Sequence, residues 1–583
     1  MNNENTKAPS GKGKDQSNVI RFPGTEARNP EEQEHRDLSL EEQSGKASLS
    51  AEPETISPEG QALPVIKKVK PEALLALALE QAKLFHTADR SVFADVIQGG
   101  IRKTLMLRTK DTTHWLNELS YRGFGMTPVR QTLNTVINVL EAKALFEGPE
   151  RIVHLRYGSH GGCVYIDLGN DKWEQVEISN RGWRILASHE SSVRFRREQG
   201  MAAMCYPASN GSFEPLRQIL NLDSEVDFIL MVSWLIGAMN PKGPFPIMVL
   251  VGEQGSSKST TAKMLKGLTD PATIGLVALP KCEQDLAIAA QRTWTLPYDN
   301  LSKITDGMSD AFCRLATGGG FRTRTLYTNE DEMMFSSVRP LIMNGISDFV
   351  TRQDLADRSI LIHLPSIPEQ RRLPEKVLYE RWREARPLIF GAICDALSTS
   401  LRNLPHVELP TYPRMADFAQ LIVAAEPVLP WKSGAFLQAY FENREKMIDV
   451  ALEADEVATT VIALVEKTAE KKWVGTATEL KDALDAVVDE RTRRLRSWPK
   501  KSNMLSNRVR RCATFLRSKG IHYERGKSGN RYIVLRKIED ATAQTVSTVR
   551  PEPPPAVAAK SYTFDSNGPG NDDGNVDIEE GEI

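Results

Sequence analysis

Hydrophobic residues along this chain change their spacing several times, and each change marks a different kind of element. From "PEALLALALEQAKLF" to "TLNTVINVLEAKALF" apolar residues recur every three or four positions, which predicts a helical N-terminal region over 69–150 with a short interruption. Between 151 and about 197 the runs "IVHLRY", "GCVYIDLG", "QVEI" and "WRIL" alternate or stay apolar between Gly, Asn and Asp, predicting a small β-rich region over 151–212. "FILMVSWLIGAM" stops at Asn240 and Pro241, short of the roughly 20 residues a bilayer span requires, and reads as a buried core helix. "PIMVLV" is a fully apolar run of strand length, and "STTAKMLKGL" after it sets Ala262, Leu265 and Leu268 on one helical face. Further strands are expected at "TWTLPYDNLS", "RPLIMNGI" and "SILIHLP", and helices over 366–453.

The C-terminal part predicts three helices and a hairpin. "DEVATTVIALVEKTAE" is the first helix, and "TATELKDALDAVV" the second, capped by Thr476 or Thr478. "SNMLSNRVRRCATFLRSKG" is the third, with Leu505, Val509, Cys512 and Leu516 inward, Arg508, Arg510, Arg511 and Arg517 outward, and Gly520 ending it. "IHYER", the turn "GKSGN" and "RYIVLRK" then form a β-hairpin. Three helices followed by a hairpin look like a winged helix-turn-helix over 454–537.

Composition refines this layout. The 583 residues suffice for several packed units. Residues 1–68 and the Pro-rich, then acidic, segment 538–583 lack clustered apolar residues and are expected to be disordered. Six widely spaced cysteines without a C-x-x-C pair argue against disulfides and zinc ribbons and suit a reducing cytoplasm. The N-terminus lacks the apolar core of a secretory signal. His154, His160 and His189 share no metal-ligand spacing. The 74 Lys and Arg balance 76 Asp and Glu overall, yet from 491 to 537 Glu524 is the only acidic residue. That asymmetry favours DNA as the partner of Arg508, Arg510, Arg511 and Arg517 on the third helix, with Arg525, Lys527 and Arg531 of the hairpin approaching backbone or minor groove.

The clearest chemistry lies in "GEQGSSKST", residues 252–260, between a buried strand and a helix start. There, free backbone N–H groups and the helix dipole converge on an anion. The stretch nearly spells G-x-x-x-x-G-K-[ST], with Ser257 in place of the last glycine. Gly252, Glu253, Gln254, Gly255, Ser256, Ser257, Lys258, Ser259 and Thr260 thus form a candidate ATP phosphate cradle. Lys258 is expected to reach the β and γ phosphates and Ser259 to ligate Mg²⁺, while Ser257 imposes a mild steric cost. Asp299, at the end of "TWTLPYDNLS", is the second Mg²⁺ ligand; Asn300, which can orient a water but not take its proton, follows it. Asn344 on "RPLIMNGI" is placed to contact the γ phosphate or the attacking water, and Arg358 in "DLADRSILIHLP" to serve a neighbouring subunit as an arginine finger.

Taken in order, "GEQGSSKST", "YDN", "CRLATGGGFRTRTLYTNEDE", "RPLIMNGI", "DLADRSI" and "PRMADFA" resemble AAA+ ATPases of the superfamily 3 helicase type, in particular helicase-like proteins of phage and mobile-element replication, some fused to primases. The resemblance runs from about 215 to 440. It implies an α/β fold: a P-loop AAA+ core over 213–365 between helical N- and C-terminal regions. It also implies a ring of identical subunits such as a hexamer, and a hairpin or loop gripping single-stranded DNA, which here carries Arg322 and Arg324 after Gly318, Gly319 and Gly320. A primase or another replication protein is a further partner. The expected function is an ATP-dependent DNA helicase or translocase. Ser257 and Asn300 keep open a nucleotide-switched initiator or loader with little hydrolysis, and the winged helix keeps open a transcription regulator.

Overall fold

The computed structural model describes residues 68–324, 332–345, 349–453, 455–468, 470–495, 498–528 and 530–538. The disorder expected at the two ends falls on residues outside these. The first unit differs from the helical region the spacing predicts. Helix α1 (Pro71–Gln81) runs straight into β1 (Ala82–His86), which pairs antiparallel with β2 (Val92–Gln98), and β2 pairs with β3 (Ile101–Met106). Helices α2 (Lys110–Phe124) and α3 (Arg130–Phe146) follow. The physical reason for the difference is β2 itself. Val92, Ala94 and Val96 enter the helical core, whereas on the alternate positions Phe93 stacks on Phe85 and Asp95 pairs with Arg194. Covered on both faces, the strand shows no polar alternation.

The β-rich region is a six-stranded sheet of β4 (Val153–Leu155), β5 (Tyr157–His160), β6 (Cys163–Asp167), β7 (Gln175–Ser179), β8 (Gly182–Leu186) and β9 (Arg194–Arg196), in the order β8-β7-β6-β5-β4-β9. Helices α4 (Glu214–Ile219) and α5 (Glu225–Ala238) lead into the core. Helix α5, capped by Ser224, is buried from Phe228 to Ala238. Among the described residues no helix is long and apolar enough to cross a membrane.

The core proper runs β10 (Ile247–Val251), α6 (Lys258–Thr269), α7 (Glu283–Arg292), β11 (Leu296–Leu301), α8 (Asp306–Thr317), β12 (Gly320–Arg324), β13 (Glu332–Ser336), β14 (Leu341–Gly345), α9 (Gln353–Ala356) and β15 (Ser359–His363). Strands β11-β14-β10-β15 form one sheet, parallel throughout, and β12 and β13 form an antiparallel hairpin beside it. Helices lie on a parallel sheet's faces, so Met248, Leu250, Ile342 and Ile360 are buried without alternation. Helices α10 (Glu375–Asn403), α11 (Ala416–Ala425) and α12 (Ala435–Glu453) occupy the region expected to be helical. The chain is thus a mixed α/β protein with a parallel sheet and many helices.

A buried charge cluster joins the β-rich sheet to this core. Asp270, just past α6, accepts from Arg156 Nε at 3.0 Å and from Lys266 Nζ at 2.5 Å, with both cations almost fully buried. Its Oδ2 also accepts from the backbone N–H of Trp294 and Thr295, where β11 begins. Burial alone raises the pKa of such a carboxyl, but Lys266 and Arg156 hold it below its ordinary value.

The C-terminal unit comprises α13 (Glu456–Lys467), β16 (Lys472–Gly475), α14 (Ala477–Val487), α15 (Glu490–Arg494), α16 (Ser502–Ser518), β17 (Ile521–Ser528) and β18 (Asn530–Lys537). Val461, Leu480, Leu505, Val509, Leu516 and Leu535 share its core. Thr476 caps α14 through a capping box with Glu479. Strand β16 completes an antiparallel sheet in the order β16-β18-β17.

Candidate functional site

Residues 252–257 turn from the C-terminal end of β10 into α6. Gly252 has φ +152, and a Cβ there would come within 2.3 Å of the Leu364 carbonyl oxygen, so only glycine fits. Ser257, at φ 68 and ψ 18, is left-handed. Spacing alone suggests a steric cost for its side chain; the structure puts the cost in the backbone, where a residue with a Cβ loses about 1–2 kcal/mol against glycine. Ser257→Gly is therefore expected to raise the unfolding free energy by about 0.5–1 kcal/mol, after the greater freedom of glycine in the unfolded chain is counted. Nucleotide affinity should hold or rise. Denaturant unfolding and nucleotide titration check both, and a loss on either would mean that the serine hydroxyl is itself needed.

Lys258, the first residue of α6, folds back over the turn. Its Nζ donates to Gly252 O at 2.8 Å, Glu253 O at 2.7 Å and Ser256 Oγ at 3.3 Å. Partial burial lowers its pKa, opposed by the nearby Asp299 carboxylate. Gln254 is exposed, and Thr260 lies in the first turn of α6.

Ser259 Oγ donates to Asp299 Oδ1 at 2.9 Å, which brings a hydroxyl of α6 and a carboxylate of β11 together beside Lys258. Asn300 has φ 58, shifts the register of β11 against β14, and donates its backbone N–H to Asn344 Oδ1 at 3.0 Å. The other amide atom, Asn344 Nδ2, is buried without a hydrogen-bond partner. Lys258, Ser259, Asp299, Asn300 and Asn344 thus converge at one end of the parallel strands, where open α/β sheets place their ligands. A cation, two hard oxygen donors, the free N–H groups of a helix start and one unspent amide donor suit a phosphate chain with Mg²⁺. Among the described residues no group of three His, Cys, Asp or Glu side chains is placed to hold a metal ion.

Motif spacing gave no sign of the flank of this site. A 620 Å³ cavity opens beside Gly255 and Ser257, with Leu220, Met264, Leu373 and Leu378 on its apolar side and Asn221 and Arg372 as polar groups. A Cβ added at Gly255 would stand 3.3 Å from Arg372 Nη2, so this guanidinium overhangs the turn. Gln218, Thr260, Thr261, Arg371 and Glu375 complete the cavity's polar lining. The only local signal is the arginine pair "RR" at 371–372, which on a surface is unremarkable.

Arg358 lies elsewhere. Its carbonyl accepts from Ile247 N at 2.8 Å, and Ile247 and Val251 pair with Ser359 and His363. It therefore flanks the opposite end of the sheet from the turn, roughly 13 Å away along the strands. Rather than projecting, it is 12% exposed and donates from Nη1 to Asp354 O at 2.7 Å, and its Nε is buried without a partner. Arg322 and Arg324 sit on β12 opposite Met334 and Glu332 of β13; their side chains are outside the described part.

In the C-terminal unit Arg510, Arg511 and Arg517 of α16 are exposed, as are Arg525 and Arg531; the Lys527 side chain is outside the described part. Arg525 also donates to Ser506 Oγ at 2.5 Å, tying hairpin to helix. Arg508 departs from the outward expectation. Its guanidinium is 3.0 Å from Asp455, which also caps α13 through Val457 N and Ala458 N and accepts from the Cys512 thiol. Arg508 is thus bound to a structural carboxylate. Helix α15 adds exposed Arg491, Arg493 and Arg494, which the sequence reading leaves out.

Comparison with known proteins follows the same division of the chain. Residues 214–443 match the family model described as the actinomycete integrative conjugative element replication protein, and residues 457–549 match the AICE RepA C-terminal domain. No curated protein matches. Among solved structures, the apo NrS-1 C-terminal region (305–718) is similar at 11% identity and a TM-score of 0.37, with 81% of this chain and 100% of that one covered. An A-form apo structure of the NrS-1 C-terminal region gives 12% identity and a TM-score of 0.35 over the same shares. Matched in order by both of these replication-protein models, the chain is placed with the replication proteins of mobile elements.

Proposed function

We propose that this protein is an ATP-dependent DNA helicase or translocase that acts in replication of its mobile element as a ring of identical subunits. The observation that carries this reading is the convergence of Lys258, the Ser259–Asp299 contact and the Asn300–Asn344 pair at one end of the parallel sheet. On this reading residues 252–260 are a P-loop and the sheet is an AAA+ core. Bound Mg–ATP supplies a γ-phosphoryl group whose transfer to water releases free energy. The chain's own residues hold and orient it: Lys258 exchanges its loop carbonyls for phosphate oxygens, Ser259 and Asp299 turn their oxygens to Mg²⁺, and Asn344 Nδ2 gains the partner it lacks. Arg358 flanks the end of its own sheet opposite the turn, so on this reading the nucleotide it serves is a neighbouring subunit's.

The hairpin β12–β13, with Arg322 and Arg324 two residues apart on one strand, is read as the part that grips single-stranded DNA. The C-terminal unit is read as a winged helix on duplex DNA, with Arg510, Arg511 and Arg517 on its recognition helix and Arg525 and Arg531 on its wing. Replacing Arg322 and Arg324 by alanine tests the translocase reading. Duplex affinity should stay near the wild-type value, while stimulation of ATP turnover by single-stranded DNA and unwinding of a forked substrate are lost. Wild-type stimulation and unwinding in the double variant would refute it. Asn300 favours a second reading, a nucleotide-switched initiator or loader, because an amide cannot take the proton of an attacking water. Slow turnover that single-stranded DNA leaves unchanged would select that reading.

A further inference from the structure

The C-terminal unit carries a charge excess that its own fold does not neutralise. From 491 to 537 there are sixteen Lys and Arg and one acidic residue, Glu524. Some of these cations are paired: Arg494 with Glu490, Arg508 with Asp455, Lys519 with Asp449, Arg536 with Glu524, and Lys537 with Glu466. Arg491, Arg493, Arg510, Arg511, Arg517 and Arg531 are exposed and have no carboxylate partner among the described residues. The chain itself supplies the complement. Residues 565–583 hold seven acidic residues and no Lys or Arg. In sequence they follow β18, the central strand of this unit's sheet.

We propose that residues 565–583 bind the basic surface of α15, α16 and the β17–β18 hairpin and compete there with DNA phosphates, so that the chain restrains its own duplex binding. The proposal rests on the DNA-binding reading of that surface. Reach does not limit it. Fully extended, residues 538–565 span up to about 95 Å, whereas a domain of this size has a radius of gyration near 12 Å. Covalent connection gives such a segment a local concentration on the order of millimolar, enough for a weak charge-driven contact to compete with a duplex present at nanomolar levels. Being electrostatic, the restraint fades as salt screens it.

The test measures anisotropy of a labelled duplex with the full chain, a chain lacking residues 565–583, and a full-length chain whose seven acids in that segment are changed to Asn or Gln. At about 50 mM salt both altered chains should bind roughly tenfold more tightly than the full chain, and at about 300 mM the three should converge. A labelled peptide of residues 565–583 should bind the shortened chain, and duplex should displace it. Affinities of all three chains within twofold at low salt overturn the proposal. So does a gain on deletion that charge neutralisation fails to reproduce. If no chain binds duplex, the DNA reading fails, and peptide binding to the shortened chain then decides the tail contact by itself: binding upholds it and no binding overturns it.

Discussion

Lys258→Ala is expected to weaken Mg–ATP binding at least about 100-fold, because hydrogen bonds from a charged group contribute about 1.5–3 kcal/mol each and two phosphates lose one. The fold should survive. Among the described residues the ammonium's hydrogen bonds go to Gly252 O, Glu253 O and Ser256 Oγ, all on its own turn, so it ties no other element in place. Equilibrium titration with a fluorescent ATP analogue, beside a thermal melt matching wild type, separates loss of the site from loss of structure. An alanine variant that binds Mg–ATP as wild type does would remove the nucleotide site and with it the proposed function.

Arg358→Ala should leave nucleotide binding unchanged and cut turnover about a thousandfold, the lower range for an arginine finger acting in trans. Two features make this a sharp test. The residue flanks the end of the sheet opposite the turn, so its own site cannot feel the change directly. It is also held by Asp354 within its own subunit, so a finger at this position must leave that contact to reach a neighbour. Mixing Arg358→Ala with Lys258→Ala protein should restore part of the turnover, since each supplies what the other lacks. No recovery despite proven subunit exchange would place the function of Arg358 within its own chain.

The elements readable from sequence are those whose signal is local. The turn at 252–260 is legible because strand, glycines, lysine and helix fall within one short window, and the hairpin at 521–537 because Gly and Asn punctuate an apolar alternation. What stays hidden depends on distant neighbours. Strand β2 loses its alternation to Arg194 and Phe85, which lie outside it, and the four residues of β16 need β18 to become a strand at all. Helical spacing puts Arg508 outside, yet Asp455, 53 positions away, turns it in. The strain at Ser257 is a backbone angle, and no residue pattern records it.

Asp270 gives the proposed machine a fixed jaw. Helix α6 and strand β11 are fastened together at one end where Ser259 meets Asp299, and at the other where Asp270 takes the N–H groups of Trp294 and Thr295 and the Thr269 and Thr295 hydroxyls meet. Two bars bolted at both ends cannot scissor, and Arg156 bolts the pair to the β-rich sheet as well. The turn at 252–257 and the Asp299 carboxylate, which the proposed function gives to phosphate and metal, therefore travel as one piece. Compliance is left to the opposite edge, where Asp357 accepts long 3.3 Å hydrogen bonds from Arg444 Nε and Nη2 and faces Arg414 at 3.9 Å. A stroke driven at the site would open and close that edge, which is where Arg358 waits.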